Sequence, residues 1–248
     1  MRKFGLIGYP LSHSFSKKYF TEKFEREGIA GAAYELYPIE SIEQLPDLLK
    51  HEPELVGLNV TIPYKQQVIP FLNDLDPKAE AIGAVNTIVI NEGKLKGYNT
   101  DYHGFKDSLV KFVGANPMPP KALILGTGGA SKAVKAALED SGVAFQFVSR
   151  KSATGQLLTY EDLTSTPQHV NTSTLIINTT PLGMSPKTEE LPDLPYQLIT
   201  PDHFLYDLVY NPLVTAYMQK GIDQGCWVKN GLEMLHGQAE KAWEIWNA

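Results

Sequence analysis

Residues 121–151, KALILGTGGASKAVKAALEDSGVAFQFVSRK, read without a break as strand, glycine turn, helix and second strand. Ala122 to Leu125 form a short apolar run suited to a buried parallel strand, and Gly126, Gly128 and Gly129 follow at once. Ala130, Ala133, Val134, Ala137 and Leu138 then recur at helical spacing on one stripe, and Gly142 stands where a C-terminal cap is expected. Val143, Phe145 and Phe147 alternate as the second strand. A strand that turns on glycines into a helix brings backbone N–H groups against a phosphate, so Gly126, Thr127, Gly128, Gly129 and Ala130 form a candidate nucleotide turn. The third small position of the pattern is Ser131, where Gly or Ala is usual.

The end of the second strand bears on the choice of cofactor. An NAD site places Asp or Glu about 20 residues after the glycines, on the ribose 2′-hydroxyl. This chain has Ser149, Arg150 and Lys151 there. An acid would repel a 2′-phosphate and a guanidinium grips it with two bonds, so these residue types favour NADP. The competing reading is a glycine turn beside solvated surface cations.

At 248 residues the chain exceeds the usual single-domain length, and with 43% hydrophobic residues it can bury two cores. A net charge of -6 argues against a nucleic-acid binder. Cys226 is the only cysteine, which leaves no intrachain disulfide and fits a reducing compartment; between Gly225 and Trp227 it is expected in the core. The histidines form no HExxH-like cluster, so no metal is expected. No apolar run reaches the roughly 18 residues of a membrane span. The expectation is a cytoplasmic protein with small-molecule partners, without nucleic acid or membrane, and either monomeric or homodimeric.

Ahead of the nucleotide unit, Phe4 to Ile7 read as a strand that turns at Gly8-Tyr9-Pro10 into the hydroxyl-rich run Leu11 to Ser16 and a helix closed by Gly28. One serine suffices for an N-cap, and the others are free to meet a carboxylate. A strand from Ala33 to Ile39 precedes a Ser41/Gln44 capping box. Leu55 to Val60 read as a strand running into Asn59-Val60-Thr61-Ile62-Pro63-Tyr64-Lys65, with helical pattern over Gln67 to Leu72. Lys65 sits at a strand's carboxyl end, where open α/β sheets gather ligands, although a lone lysine there also reads as solvated surface. Thr87 to Ile90 and Lys94 to Tyr98 pair as a hairpin that returns Asn99-Thr100-Asp101 towards Asn86. Asp101 reads equally as the N-cap of the next helix.

Gly114 to Pro120 form a linker into the nucleotide unit. Beyond that unit come a strand over Thr174 to Ile177, a polar turn at Asn178 to Met184, a strand over Phe204 to Tyr210 and a helix over Val214 to Lys220 capped by Gly221. The last helix, about Gly231 to Trp246, carries Leu235, Ala239, Ala242, Trp243 and Trp246 on one stripe. Gln238 lies at the edge of that stripe, as surface glutamine or as a ligand beneath a core helix.

Taken together, these motifs resemble the shikimate dehydrogenase family over nearly the whole length. The carriers are Gly8-Tyr9-Pro10-Leu11-Ser12-His13-Ser14-Phe15-Ser16, Asn59 to Lys65, Gly83-Ala84-Val85-Asn86-Thr87, Asn99-Thr100-Asp101, Gly126 to Ala130, and Asn230 to Ala239. The resemblance implies an α/β fold of two domains, with an N-terminal substrate-binding domain at 1–103 plus 231–248 and a Rossmann-type NADP domain at 104–230. The C-terminal helix would return to the first domain. It further implies that Ser14 and Ser16 hold the substrate carboxylate, that Thr61, Asn86 and Gln238 take its hydroxyls, and that Asn59 and Tyr210 line the pocket. Lys65 and Asp101 become the catalytic pair, and Leu208 and Gly231 touch the nicotinamide half of NADP.

The chain departs from the family where Ser149-Arg150-Lys151 replaces the frequent Asn-Arg-Thr, and where the turn after Asn178 reads Thr179-Thr180-Pro181-Leu182-Gly183-Met184. The implied activity is an oxidoreductase interconverting 3-dehydroshikimate and shikimate, in the biosynthesis of chorismate and the aromatic amino acids. The alternatives are a quinate/shikimate dehydrogenase using NAD or both cofactors and, from another class, a non-catalytic nucleotide-responsive binding protein.

Overall fold

The computed structural model describes residues 1–11, 14–151 and 157–248. The chain forms two compact units, residues 1–100 with 239–248, and residues 101–238. In chain order the elements are β1 (Arg2–Ile7), α1 (Phe15–Arg26), β2 (Ala32–Tyr37), α2 (Leu45–His51), β3 (Leu55–Val60), β4 (Asp74–Leu75), α3 (Pro77–Ile82), β5 (Thr87–Asn91) and β6 (Lys94–Tyr98). They continue with α4 (Thr100–Val113), β7 (Lys121–Leu125), α5 (Gly129–Asp140), β8 (Ala144–Ser149), β9 (Leu158–Thr159), α6 (Tyr160–Ser165) and α7 (Gln168–Asn171). The remainder is β10 (Leu175–Asn178), β11 (Phe204–Asp207), α8 (Ala216–Asp223), β12 (Trp227–Lys229) and α9 (Leu232–Trp246).

The first unit is built on a mixed sheet of order β2-β1-β3-β5-β6-β4, in which β2, β1 and β3 run parallel and β5 and β6 form the antiparallel hairpin. Such a central strand must be apolar on both faces, and β1 meets that need with Phe4, Leu6 and Ile7. Ile7, Leu58, Val60 and Ile88 join one core cluster, while Phe4, Phe20, Phe24 and Trp246 join another. The second half of α9 belongs to this unit. Trp246 anchors it: the indole N–H donates to the Ile88 carbonyl at 3.0 Å, and at Gly57 an added Cβ would come within 2.3 Å of that nitrogen.

The second unit is an all-parallel sheet of order β12-β11-β10-β7-β8-β9. The order reverses between β7 and β10, the switch point where a doubly wound sheet opens a crevice. Ala133, Val134, Ala137 and Leu138 of α5 are buried as the stripe required. The fold is therefore α/β with a Rossmann-type second domain.

Several elements end elsewhere than expected. Residues 67–72 form turns with one 3₁₀ turn at Ile69–Phe71, because Pro70 has no N–H to continue a helix. β11 stops at Asp207, whose carboxylate binds the N–H of Val209 at 3.0 Å and turns the chain. α8 begins at Ala216 behind the cap Thr215, and Gly221 is interior to it, facing Val228; the closing glycine is Gly225, with φ 76°. Cys226 is half-buried, its thiol donating to the Thr200 carbonyl at 3.1 Å. No helix among the described residues is long and apolar enough to cross a membrane.

Candidate active site

In the first unit a buried polar network forms where β3 and β5 pair. Asn59, on β3, accepts from the Tyr34 hydroxyl at 2.7 Å and donates through Nδ2 to the Asn86 carbonyl at 3.3 Å and to Thr87 Oγ1 at 3.2 Å. The Asn86 side chain donates to Thr100 Oγ1 at 2.9 Å and accepts from the Thr100 N–H at 2.6 Å. Asn59, Asn86, Thr87 and Thr100 are all buried. Polar side chains persist in such a place only when each has partners, so the network is rigid by construction.

Ser14 occupies the N-cap position of α1, yet its hydroxyl makes no capping bond. That Oγ is buried and makes no hydrogen bond among the described residues. Ser16 stands in the first turn of α1. Ser12 and His13 of the same run lie outside the described residues. Thr61 follows β3 with its N–H on the Ile7 carbonyl at 3.0 Å, and its methyl lies where a Cβ at Gly8 would be 2.4 Å away. Lys65 is half-buried in the turn after β3, its carbonyl accepting from the Val85 N–H at 2.7 Å. Those backbone bonds tie Thr61 and Lys65 to the segments that carry Gly8 and Asn86.

The remaining candidates belong to the second unit. Asp101 is buried in the first turn of α4, one residue inside the helix. Tyr210 lies beyond β11 half-buried, and burial pushes its phenol up from the ordinary value. The Gln238 amide donates to the Leu235 carbonyl at 3.1 Å. Leu208 and Gly231 meet: a Cβ at Gly231 would be 2.1 Å from the Leu208 carbonyl oxygen, so only glycine permits this approach. The Leu208 N–H in turn donates to the Asn178 carbonyl at 2.9 Å.

A cavity of about 340 Å³ opens at the carboxyl ends of β7 and β8, walled by Gly126, Thr127, Gly128, Ser149, Arg150, Tyr160 and residues 179–182. Gly126 holds φ at 101°, a left-handed conformation that favours glycine. A Cβ at Gly128 would project into open space, and no side chain caps the helix that Gly128 begins. Ser131, at the off-pattern third position, folds its hydroxyl back onto the Gly128 carbonyl at 2.7 Å and stays buried. An uncapped helix start and a guanidinium on one cavity wall are two independent anion-binding features, so the residues present fit a dinucleotide phosphate. Gly129, Ala130 and Lys151 are outside this wall.

The loop on the far wall is held from below. Asn178 Oδ1 accepts from the Thr180 N–H at 3.0 Å and from its hydroxyl at 2.6 Å, while Nδ2 donates to Asp207 Oδ1 at 2.9 Å. The other Asp207 oxygen accepts from Thr215 at 2.6 Å. Burial pushes the Asp207 carboxyl up to about 6 against the pull of Thr215, the Val209 N–H and Asn178. Tyr160 and Asp207 were absent from the sequence candidates. Thr159 and Asp162 form a capping box that marks the start of Tyr160's helix, but nothing local says that its ring turns to the cavity.

Residues 6–88 match the family model for the shikimate dehydrogenase substrate binding domain. A shikimate dehydrogenase (NADP(+)) of Clostridium beijerinckii is 40% identical, over 99% of this chain and 92% of that protein. Among solved structures, shikimate 5-dehydrogenase of Thermus thermophilus in complex with NADP(H) and shikimate is 32% identical with a TM-score of 0.83, covering 99% of this chain and 93% of that one. Shikimate 5-dehydrogenase of Listeria monocytogenes, in complex with shikimate and NAD, is 30% identical with a TM-score of 0.88, covering 100% and 92%. With the buried polar network, the phosphate-fitting cavity and these full-length similarities in hand, the chain belongs to the shikimate dehydrogenase family.

Proposed function

We propose that this protein is the NADP-dependent oxidoreductase that interconverts 3-dehydroshikimate and shikimate on the route to chorismate and the aromatic amino acids, with Lys65 as its proton donor and acceptor. The buried Asn59–Asn86 network carries this reading, because a preformed polar wall that keeps acceptor capacity on Asn59 Oδ1 suits a polyol acid. Ser14 and Ser16 hold the carboxylate from the start of α1, and the unbonded Ser14 hydroxyl supports that role. Thr61, Asn86 and Gln238 take the ring hydroxyls, with Asn59 and Tyr210 lining the pocket.

When bound, NADP(H) supplies or accepts the hydride. Gly126 to Ala130 hold its pyrophosphate, Ser149, Arg150 and Lys151 its 2′-phosphate, and Leu208 and Gly231 the nicotinamide end. Lys65 gives a proton to the oxygen of the ring ketone as negative charge develops there, and takes it back from the hydroxyl in the oxidative direction. Asp101 orients the ammonium. By role, residues 1–103 with 231–248 form the substrate half and 104–230 the cofactor half, a few residues away from the division by packing. The enzyme is cytoplasmic and acts on small molecules, as a monomer or a homodimer that light scattering distinguishes.

The test is reduction of NADP by shikimate, followed by nicotinamide absorbance, with NAD and quinate as comparison arms. The expected result is turnover with shikimate that is faster with NADP than with NAD. Equal or faster rates with quinate and NAD would replace this reading with the quinate/shikimate one, and no turnover on either acid would overturn it.

A further inference from the structure

We propose that Tyr34, which none of the substrate or cofactor roles above includes, is a positioning residue of the acid-binding site: its buried hydroxyl holds the Asn59 carbonyl oxygen in the place it presents to the ligand. The inference rests on the shikimate reading and deepens it. Tyr34 lies on β2, 2% exposed, with its ring stacked on Phe20 at 4.6 Å between centroids. The ring belongs to the aromatic core, and only the hydroxyl reaches the polar network.

The direction of each hydrogen bond follows from the donors available. Asn59 Nδ2 faces the Asn86 carbonyl and Thr87 Oγ1, so turning the amide over would set its oxygen against a carbonyl oxygen. The oxygen therefore faces Tyr34, and since it can only accept, the phenol proton goes to it across 2.7 Å. Tyr34 has a single proton, and Asn59 takes it. Burial pushes the Tyr34 phenol up, which keeps that proton in place. Both hydrogens of the Asn59 amide are directed at acceptors within the protein, and what remains for a ligand is a lone pair on Oδ1. The site so wired selects a ligand hydroxyl at Asn59 rather than a carbonyl.

Tyr34→Phe keeps the ring and its packing and removes only the hydroxyl. Expected is a rise of about tenfold in the KM for shikimate, with the KM for NADP unchanged and kcat changed by less than about threefold, because the Asn59 oxygen loses the donor that holds it in place. With Asn59→Ala already present, adding Tyr34→Phe should raise the shikimate KM no further. An unchanged shikimate KM, or two effects that add, would overturn the proposal and leave Tyr34 a packing residue. Should the Phe variant fail to fold, Thr87→Val loosens the same amide from its other side, and the same rise is expected; an unchanged KM there would overturn it equally. Absence of any turnover in the wild type would instead sink the shikimate reading, an outcome separate from all of these.

Discussion

Ser14 is a buried hydroxyl that bonds nothing among the described residues, and a serine at an N-cap normally spends its oxygen on the helix. Removing such a group relieves a desolvation cost instead of breaking a bond. Ser14→Ala is accordingly expected to leave the melting temperature equal or higher while raising the shikimate KM by about tenfold, as the lost bond is one made only with ligand. A fall in melting temperature with unchanged KM would return Ser14 to a structural role. Lys65 is the complementary case. Lys65→Ala should depress turnover by on the order of 10²-fold or more, with NADP affinity unchanged in a fluorescence titration, because the group transfers a proton and holds no phosphate. Near wild-type turnover would remove it from the chemistry.

At the level of elements, the loops after β10 and β11 share one buried carboxylate. Asp207 is fully buried, and its carboxyl is pushed up from 3.8 to about 6. Folding thus favours the protonated form, and the stabilisation this gives is complete below about 3.8 and lost as pH rises through about 6. Two units of difference correspond to about 3 kcal/mol between those limits. Asp207→Asn fits the same bonds, since Asn178 and Val209 both donate to one oxygen and Thr215 faces the other. Expected in urea unfolding is that the Asn variant gains on the wild type as pH is raised from about 4 to about 7. A difference that stays flat over that range would refute the shift.

For the molecule as a whole, the chain crosses between the two compact units twice, at 100/101 and at 238/239. A chain so divided need not unfold in one step. Trp246 closes the first unit, and Trp246→Ala removes both its bond to Ile88 and its packing on Phe4 and Phe20. The loss should be about 3–5 kcal/mol. In calorimetry it should lower one transition, while saturating NADP raises the other by about 2.7 kcal/mol at a hundredfold excess over Kd. A single transition moved by both would show the units to be energetically one.

The strand-glycine-helix-strand unit and the β5–β6 hairpin were legible in the residues alone, whereas the return of the last helix and most of the site roles were implied by the family resemblance. Apolar period, glycines and turn residues act on neighbours along the chain, so a pattern records them. That Ser14 caps nothing, that Asp101 stands inside its helix, that β11 ends on a buried carboxylate, and that Tyr34 meets Asn59 from 25 positions away came from packing. A hydrogen-bond partner depends on which distant segments pack together and on how deeply water is excluded there, and no local spacing encodes either.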